Sequence, residues 1–127
     1  MHGKNLFDYA VIRVVPRVER EEFLNVGVIV YCKVEQFLQI KYKLDHQRLL
    51  AIFPELDLEL VSANLQAMEQ ICLGAKAGGA IAGLDKASRF RWLTAKRSTV
   101  IQHSSVHPGY TENATKTLER LFAEQVL

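Results

Sequence analysis

From Phe7 to Val15 the chain is β-branched and aromatic, with Phe7, Tyr9, Val11 and Val15 on one face of an extended segment and Ala10, Ile12 and Val14 on the other. Pro16, which has no N–H to give a sheet ladder, ends it. Apolar residues on both faces predict a central strand covered from both sides. Arg17 to Leu24 is charged and aperiodic, a loop, and leads into a second buried strand over Asn25 to Cys32. After Lys33 to Gln36, Leu38, Ile40 and Tyr42 alternate with Gln39, Lys41 and Lys43. This predicts a third strand over Phe37 to Lys43, hairpinned to the second and half-exposed at the sheet edge, with lysines guarding its outer side.

The period then lengthens. Asp45 is placed to cap a short helix over His46 to Phe53, stopped by Pro54, and Asp57 to cap a longer one through Leu73 that ends near Gly74. In the longer helix Leu58, Val61, Leu65, Met68 and Ile71 recur at helical spacing, which makes it the main covering helix. Gly74 to Gly83 holds four glycines among small residues and reads as a mobile loop. From Asp85 through Thr94 a short helix is favoured, although Phe90 and Trp92 also alternate with Arg89 and Arg91 as a strand requires. Thr99 to His103 reads as a short strand and Ser104 to Tyr110 as a turn-rich loop. Thr111 reads as the cap of a final helix that buries Leu118, Leu121, Phe122 and Val126. Strands grouped before helices predict an α+β fold. It has a small, mainly antiparallel sheet of about four strands, covered by helices, in a single layer-packed domain over residues 1–127.

Composition narrows the classes without naming an activity. The 127 residues are 49% hydrophobic and 24% charged, which excludes a disordered or collagen-like chain. A net charge of +2 implies neither nucleic acid nor a membrane surface by itself, although the basic excess lies beyond residue 75. Cys32 and Cys72 sit in apolar segments, where a thiol packs as a small hydrophobe. Met1 to Leu6 has no apolar stretch of the kind a signal peptide carries, and the longest apolar run, Val26 to Cys32, is far too short to span a bilayer. A cytoplasmic protein with no membrane partner is expected.

The most informative oddity is Arg13, a guanidinium on the Phe7, Tyr9 and Val11 face of a central strand. Removing an unpaired charge from water costs several kcal/mol, so Arg13 requires a carboxylate, carbonyls or a cleft that admits an anion. An ion pair with Glu22 is the weightier reading, Glu19 being the other nearby acid, and a ligand-binding role is the sharper one. Arg20 and Asn25 could complete either. Lys86, Arg89, Arg91, Lys96 and Arg97 interleave with Phe90 and Trp92, a pattern that suits phosphate contacts and base stacking. Packing of the aromatics onto the core is the stronger reading, so nucleic acid is disfavoured.

His103 and His107 have the i, i+4 spacing of a helical metal pair, but their extended context would hold the rings about 13 Å apart, so no metal is expected. His46, beside Asp45, belongs to a helix start. The glycine-rich loop lacks both the GK[ST] ending of a P-loop and the GxGxxG of a dinucleotide fold, and no GxSxG, CxxC or HExxH occurs, so no cofactor is expected. Gly27, in a buried strand, reads as room for Trp92 or another ring.

Two stretches carry a resemblance. One is Tyr9-Ala-Val-Ile-Arg-Val-Val-Pro16 followed by Arg20, Glu22 and Asn25-Val-Gly-Val-Ile29. The other is Phe90-Arg-Trp-Leu-Thr-Ala95 followed by Arg97-Ser-Thr-Val-Ile-Gln102 and His107. Together they resemble a bacterial family of about this length whose members carry only a domain-of-unknown-function label. The resemblance places Arg13, Arg20, Glu22, Asn25, Arg91, Arg97 and His107 in family motifs and transfers no activity. It also implies a possible protein partner, since genes of the family neighbour those of HipA-like kinases.

The sequence therefore predicts a small non-enzymatic module that recognises a protein or an anionic ligand at the arginine-rich loop end of its sheet. The alternative is an enzyme acting on a phosphate-containing or nucleic-acid substrate, with Arg13, Arg20 and Arg97 stabilising charge and Glu22 or His107 as acid or base. The exposed third strand allows a homodimer.

Overall fold

The computed structural model describes residues 4–95 and 99–127. Three strands come first: β1 (Asn5–Val14), β2 (Leu24–Cys32) and β3 (Phe37–Tyr42). They form an antiparallel meander with β1 central and β3 at an edge, as their patterns predict. Three helices with aspartate caps follow. In α1 (His46–Ile52), α2 (Leu58–Leu73) and α4 (Lys86–Leu93) the carboxylates of Asp45, Asp57 and Asp85 accept the amides of Arg48, Leu60 and Ser88 at 3.0, 3.1 and 2.7 Å. Gly74 ends α2 in the left-handed region at φ 70°. The chain closes with β4 (Ile101–His103), β5 (His107–Thr111) and α5 (Ala114–Gln125).

The two faces of the sheet bury separate cores. Ala10, Ile12 and Val14 meet Leu49, Val61, Leu65, Ile71, Phe90 and Leu93 on the α2 face. Phe7, Val28, Val30 and Phe37 meet Leu118, Leu121, Phe122 and Val126 on the α5 face. The alternation read along the first strand thus describes two real surfaces. The register of β1 on β2 slips at one point: Ile12 faces Gly27 but Arg13 faces Asn25, so Val26 is an extra residue, a bulge in β2. The closest approach to Gly27 is from a strand backbone and not from Trp92. That strand is β3, where a Cβ would lie 2.9 Å from both the Lys41 carbonyl oxygen and Tyr42 Cβ.

Three local expectations are overturned. The segment read as a loop over Gly74 to Gly83 contains a 3-10 turn (Lys76–Gly78) and one turn of helix, α3 (Gly79–Ala82), folded back on α2. The turn-rich loop over Ser104 to Tyr110 is largely β5. Proline and glycine are tolerated there because the strand lies at an edge, and Gly109 lets the Phe7 ring pack against its backbone. β4 and β5 pair with successive parts of β1 and act as one interrupted edge strand, so the sheet is about four strands wide.

The cap of α5 is Asn113, not Thr111: Asn113 Oδ1 accepts the Lys116 amide at 3.1 Å, while Thr111 bonds to the buried Thr117 hydroxyl at 2.6 Å. The carboxylate of Glu35, in the β2–β3 turn, accepts the Ala114 amide at 3.1 Å and ties that turn to the start of α5.

Candidate functional site

Arg13 is in register with Asn25 on one side and Gln102 on the other, on the α5 face of the sheet. α5 crosses β2 and β3, which leaves the β1 lane beside it partly open, and Tyr9 and Arg13 are half-buried there. The Arg13 guanidinium carbon stands 4.1 Å from the centre of the Phe23 ring, a cation–π contact to a side chain that is 47% exposed. Among the described residues no carboxylate comes within 4 Å of it. Its Nε is sealed from solvent without an acceptor, whereas its terminal nitrogens are not.

The predicted Arg13–Glu22 pair is therefore not formed. Glu22 instead holds Arg20 through both oxygens, at 2.7 Å to Nε and 3.3 Å to Nη2, and Glu19 pairs with Arg17 at 3.3 Å. The reason is local: the turn Val18–Arg20 and the left-handed Glu21 (φ 55°) bring residues two apart together, so each loop acid meets a loop base. These pairs are more than half exposed and contribute little to stability. Arg20 and Glu22 line an open cleft of about 710 Å³ whose other walls include Pro16, Phe53, Asp57 and Val100.

Asn25 and His107 join Arg13 on the same face. Asn25 Nδ2 donates to the Gln125 carbonyl at the end of α5 at 3.0 Å, which orients the amide and leaves Oδ1 buried without a donor. The exposed His107 ring lies 5.3 Å from Tyr9, which in turn stacks on Phe7 at 6.0 Å. Tyr9 and Arg13 are four strand residues apart, about 13 Å. The structure thus brings Arg13, Asn25 and His107 to one surface, whereas Arg20 and Glu22 line a cleft with Phe53, Leu56 and Val100, which pack on the α2-face core. Arg91 is elsewhere: α4 packs on the opposite face, and Arg91 Nη2 donates to the Ser88 hydroxyl at 3.0 Å. Arg97, and with it Lys96, lies outside the described residues. Phe23, which the sequence reading passed over, is the residue that Arg13 meets. Its one signal was an aromatic side chain closing an otherwise charged loop.

Several chemistries are limited by this geometry. His103 pairs with Ile12 on the α2 face and His107 with Tyr9 on the other, so the two imidazoles cannot share an ion. Glu22 precedes the Leu24–Val14 pair, whereas His107 pairs with Tyr9 across the opposite edge of β1. The five residue steps from Tyr9 to Val14 alone separate them by about 17 Å along the strand, too far for a joint acid–base role. In the basic aromatic segment, Arg89 is only 7% exposed and donates to the carbonyls of Ile71 and Cys72 at 2.9 and 3.1 Å, capping the end of α2. Phe90 is buried and stacks on Tyr31, so the segment presents no continuous stacking platform. Burial pushes the Cys72 thiol up to about 12, despite the opposing pull of Arg89, which removes it as a nucleophile.

Residues 9–126 match the family described as "Protein of unknown function (DUF3037)", and the chain belongs to that family. Comparison with curated proteins and with solved structures found no match. Among the described residues no helix is long and apolar enough to cross a membrane.

Proposed function

We propose that this member of the DUF3037 family is a small non-enzymatic recognition module. It takes an acidic group of a partner protein onto the open β1 lane of its sheet, with Arg13 as the anchor. The observation that carries the reading is the half-buried Arg13 guanidinium, stacked on the exposed Phe23 and met by no carboxylate among the described residues. A partly desolvated cation that meets no carboxylate among the described residues gains from an incoming carboxylate or phosphate, and the planar guanidinium fork suits either. Tyr9 and His107 offer two adjacent, mutually tilted rings about 13 Å along the strand for an apolar or planar part of the same partner. The separation of Glu22 from His107 favours binding over acid–base catalysis. A kinase-like neighbour of the HipA type is the first partner to try, and a reducing cytoplasm suits the two buried, unbridged thiols.

Titration calorimetry with a glutamate-rich peptide, phosphoserine and inorganic phosphate tests the reading, with Arg13→Gln and Arg91→Gln compared in parallel. Binding that Arg13→Gln abolishes and Arg91→Gln leaves intact is expected. Absence of binding by all three probes and by the kinase-like neighbour, or equal affinity in Arg13→Gln, overturns it. Binding of the small anions but not the peptide would make the site one for a free anionic ligand and reject the protein-partner form.

A further inference from the structure

From the outer edge of β3 we infer that the protein pairs with a second copy of itself, strand to strand, about a two-fold axis through Ile40. The argument starts from the ladder. Lys43 N–H donates to the Val26 carbonyl at 2.8 Å, and hydrogen-bonding direction alternates along an antiparallel strand. Phe37, Gln39 and Lys41 therefore bond inward to β2, while the N–H and C=O groups of Leu38, Ile40 and Tyr42 point outward. None of these outward groups meets a partner among the described residues.

The two edges of the sheet are not equivalent. On β1 the odd-numbered residues face β5, as the bonds of Val11 to Ser104 show, so Pro108 lies at an outward position where its missing N–H breaks the edge. The interruption between β4 and β5 breaks it again. β3 has neither device. Its one inward-facing guard, Lys41, is turned onto α5, where it pairs with Glu119 and lies 5.0 Å from the Phe122 ring centre.

The outward groups also select the register. A two-fold axis through Ile40 sets Ile40 against Ile40 and Leu38 against Tyr42 of the second copy, three ladder positions with apolar pairs on the α2 face. An axis through Lys41 would oppose two lysines. An axis through Gln39 would oppose Tyr42 to Gln36, a turn residue at φ 51° that cannot extend the ladder. On the α5 face the Ile40 axis puts the exposed Gln39 opposite Lys41 of the second copy.

Light scattering and sedimentation over a range of concentrations test this, with Gln39→Glu and Gln39→Lys as charge variants of an exposed position. A particle of twice the 14.4 kDa chain is expected. Its dissociation constant should rise by about tenfold in Gln39→Lys and fall in Gln39→Glu, because each dimer holds two such cross-strand pairs. Urea unfolding of the dilute monomer should be the same in both. A monomer at every concentration, or a dimer whose dissociation constant is equal in the two variants, overturns the inference. Neither result bears on anion binding at Arg13, which lies on a different strand.

Discussion

The Ser104 hydroxyl accepts the Val11 amide at 2.8 Å, and the Ser104 amide donates to the Val11 carbonyl at 2.8 Å. A side chain here completes a ladder position that a strand carbonyl would normally fill. The same hydroxyl donates to the Ser105 carbonyl at 2.9 Å, so its geometry is held from both sides. Through this stitch β4 and β5 serve as one edge strand, and His107 is delivered beside Tyr9.

Replacing Ser104 by Ala leaves a buried Val11 N–H without an acceptor, which costs about 1–3 kcal/mol. Urea denaturation of Ser104→Ala should show that loss, with faster hydrogen exchange at the Val11 amide. A change of less than about 0.5 kcal/mol would place the variant with ordinary surface substitutions and remove the role assigned to the hydroxyl.

Gly27→Ala sets a methyl group 2.9 Å from the Lys41 carbonyl oxygen and Tyr42 Cβ, across the β2–β3 pair. Backbone on one side and a bulge on the other leave little room to yield, so a loss of about 1–3 kcal/mol is expected. Thermal unfolding checks it, and a variant as stable as the parent would show that β3 can move away freely.

Neither thiol should react in the native protein. Cys72 is held as the neutral thiol, with its pKa near 12 from burial, and Cys32 is buried as well. An aromatic disulfide reagent at pH 8 should give no rapid colour, and both cysteines of the chain should appear after denaturation. One fast equivalent from the folded protein would contradict the burial described here.

Tyr42 predicts a loss of stability at alkaline pH. Burial first, then the hydrogen bond it donates to Glu69 at 3.0 Å and the charge of that carboxylate, raise its pKa above 10.0. A group raised in the folded state contributes stability that is complete below the unfolded pKa and is lost as pH rises through the folded one. Stability should therefore fall above about pH 10 in the parent and fall less steeply in Tyr42→Phe. Identical slopes in the two proteins would count against the coupling.

Acid acts in the opposite direction at Asp85. The hydrogen bond from the Ser88 amide leads the causes that lower its pKa, so its contribution is complete above the ordinary carboxylate value and is lost as pH falls through the folded one. Asp85→Asn keeps an acceptor for the cap without a titrating group, and its acid limb should be flatter by circular dichroism. An unchanged limb would remove Asp85 from the acid response.

What could be read in advance, and what could not, divides by distance along the chain. Asp57 and Gly74 bracket α2 because caps act within one helical turn, and the two faces of β1 follow from its period of two. Arg13 stood out because a charge on an apolar strand face is anomalous wherever the rest of the chain goes. Its partner did not, because the turn Val18–Arg20 and the left-handed Glu21 decided that Glu22 would face Arg20 and that Phe23 would meet Arg13. Pro108 and Gly109 signal a turn by composition, and only placement at a sheet edge makes them a strand.

By itself, then, the sequence determined the first three strands and the capped helices α1, α2 and α4, the two-sided burial of β1 and the presence of one misplaced guanidinium, all properties of neighbours within a few residues. Tertiary structure alone decided which charges are neutralised, that Arg89 turns inward to cap α2 while Arg13 is left to Phe23, and that His107 and Arg13 share a face. The physical reason is that local preferences act through the dihedrals of adjacent residues, whereas the counter-charge of a buried ion is set by whichever distant segment packing brings alongside it.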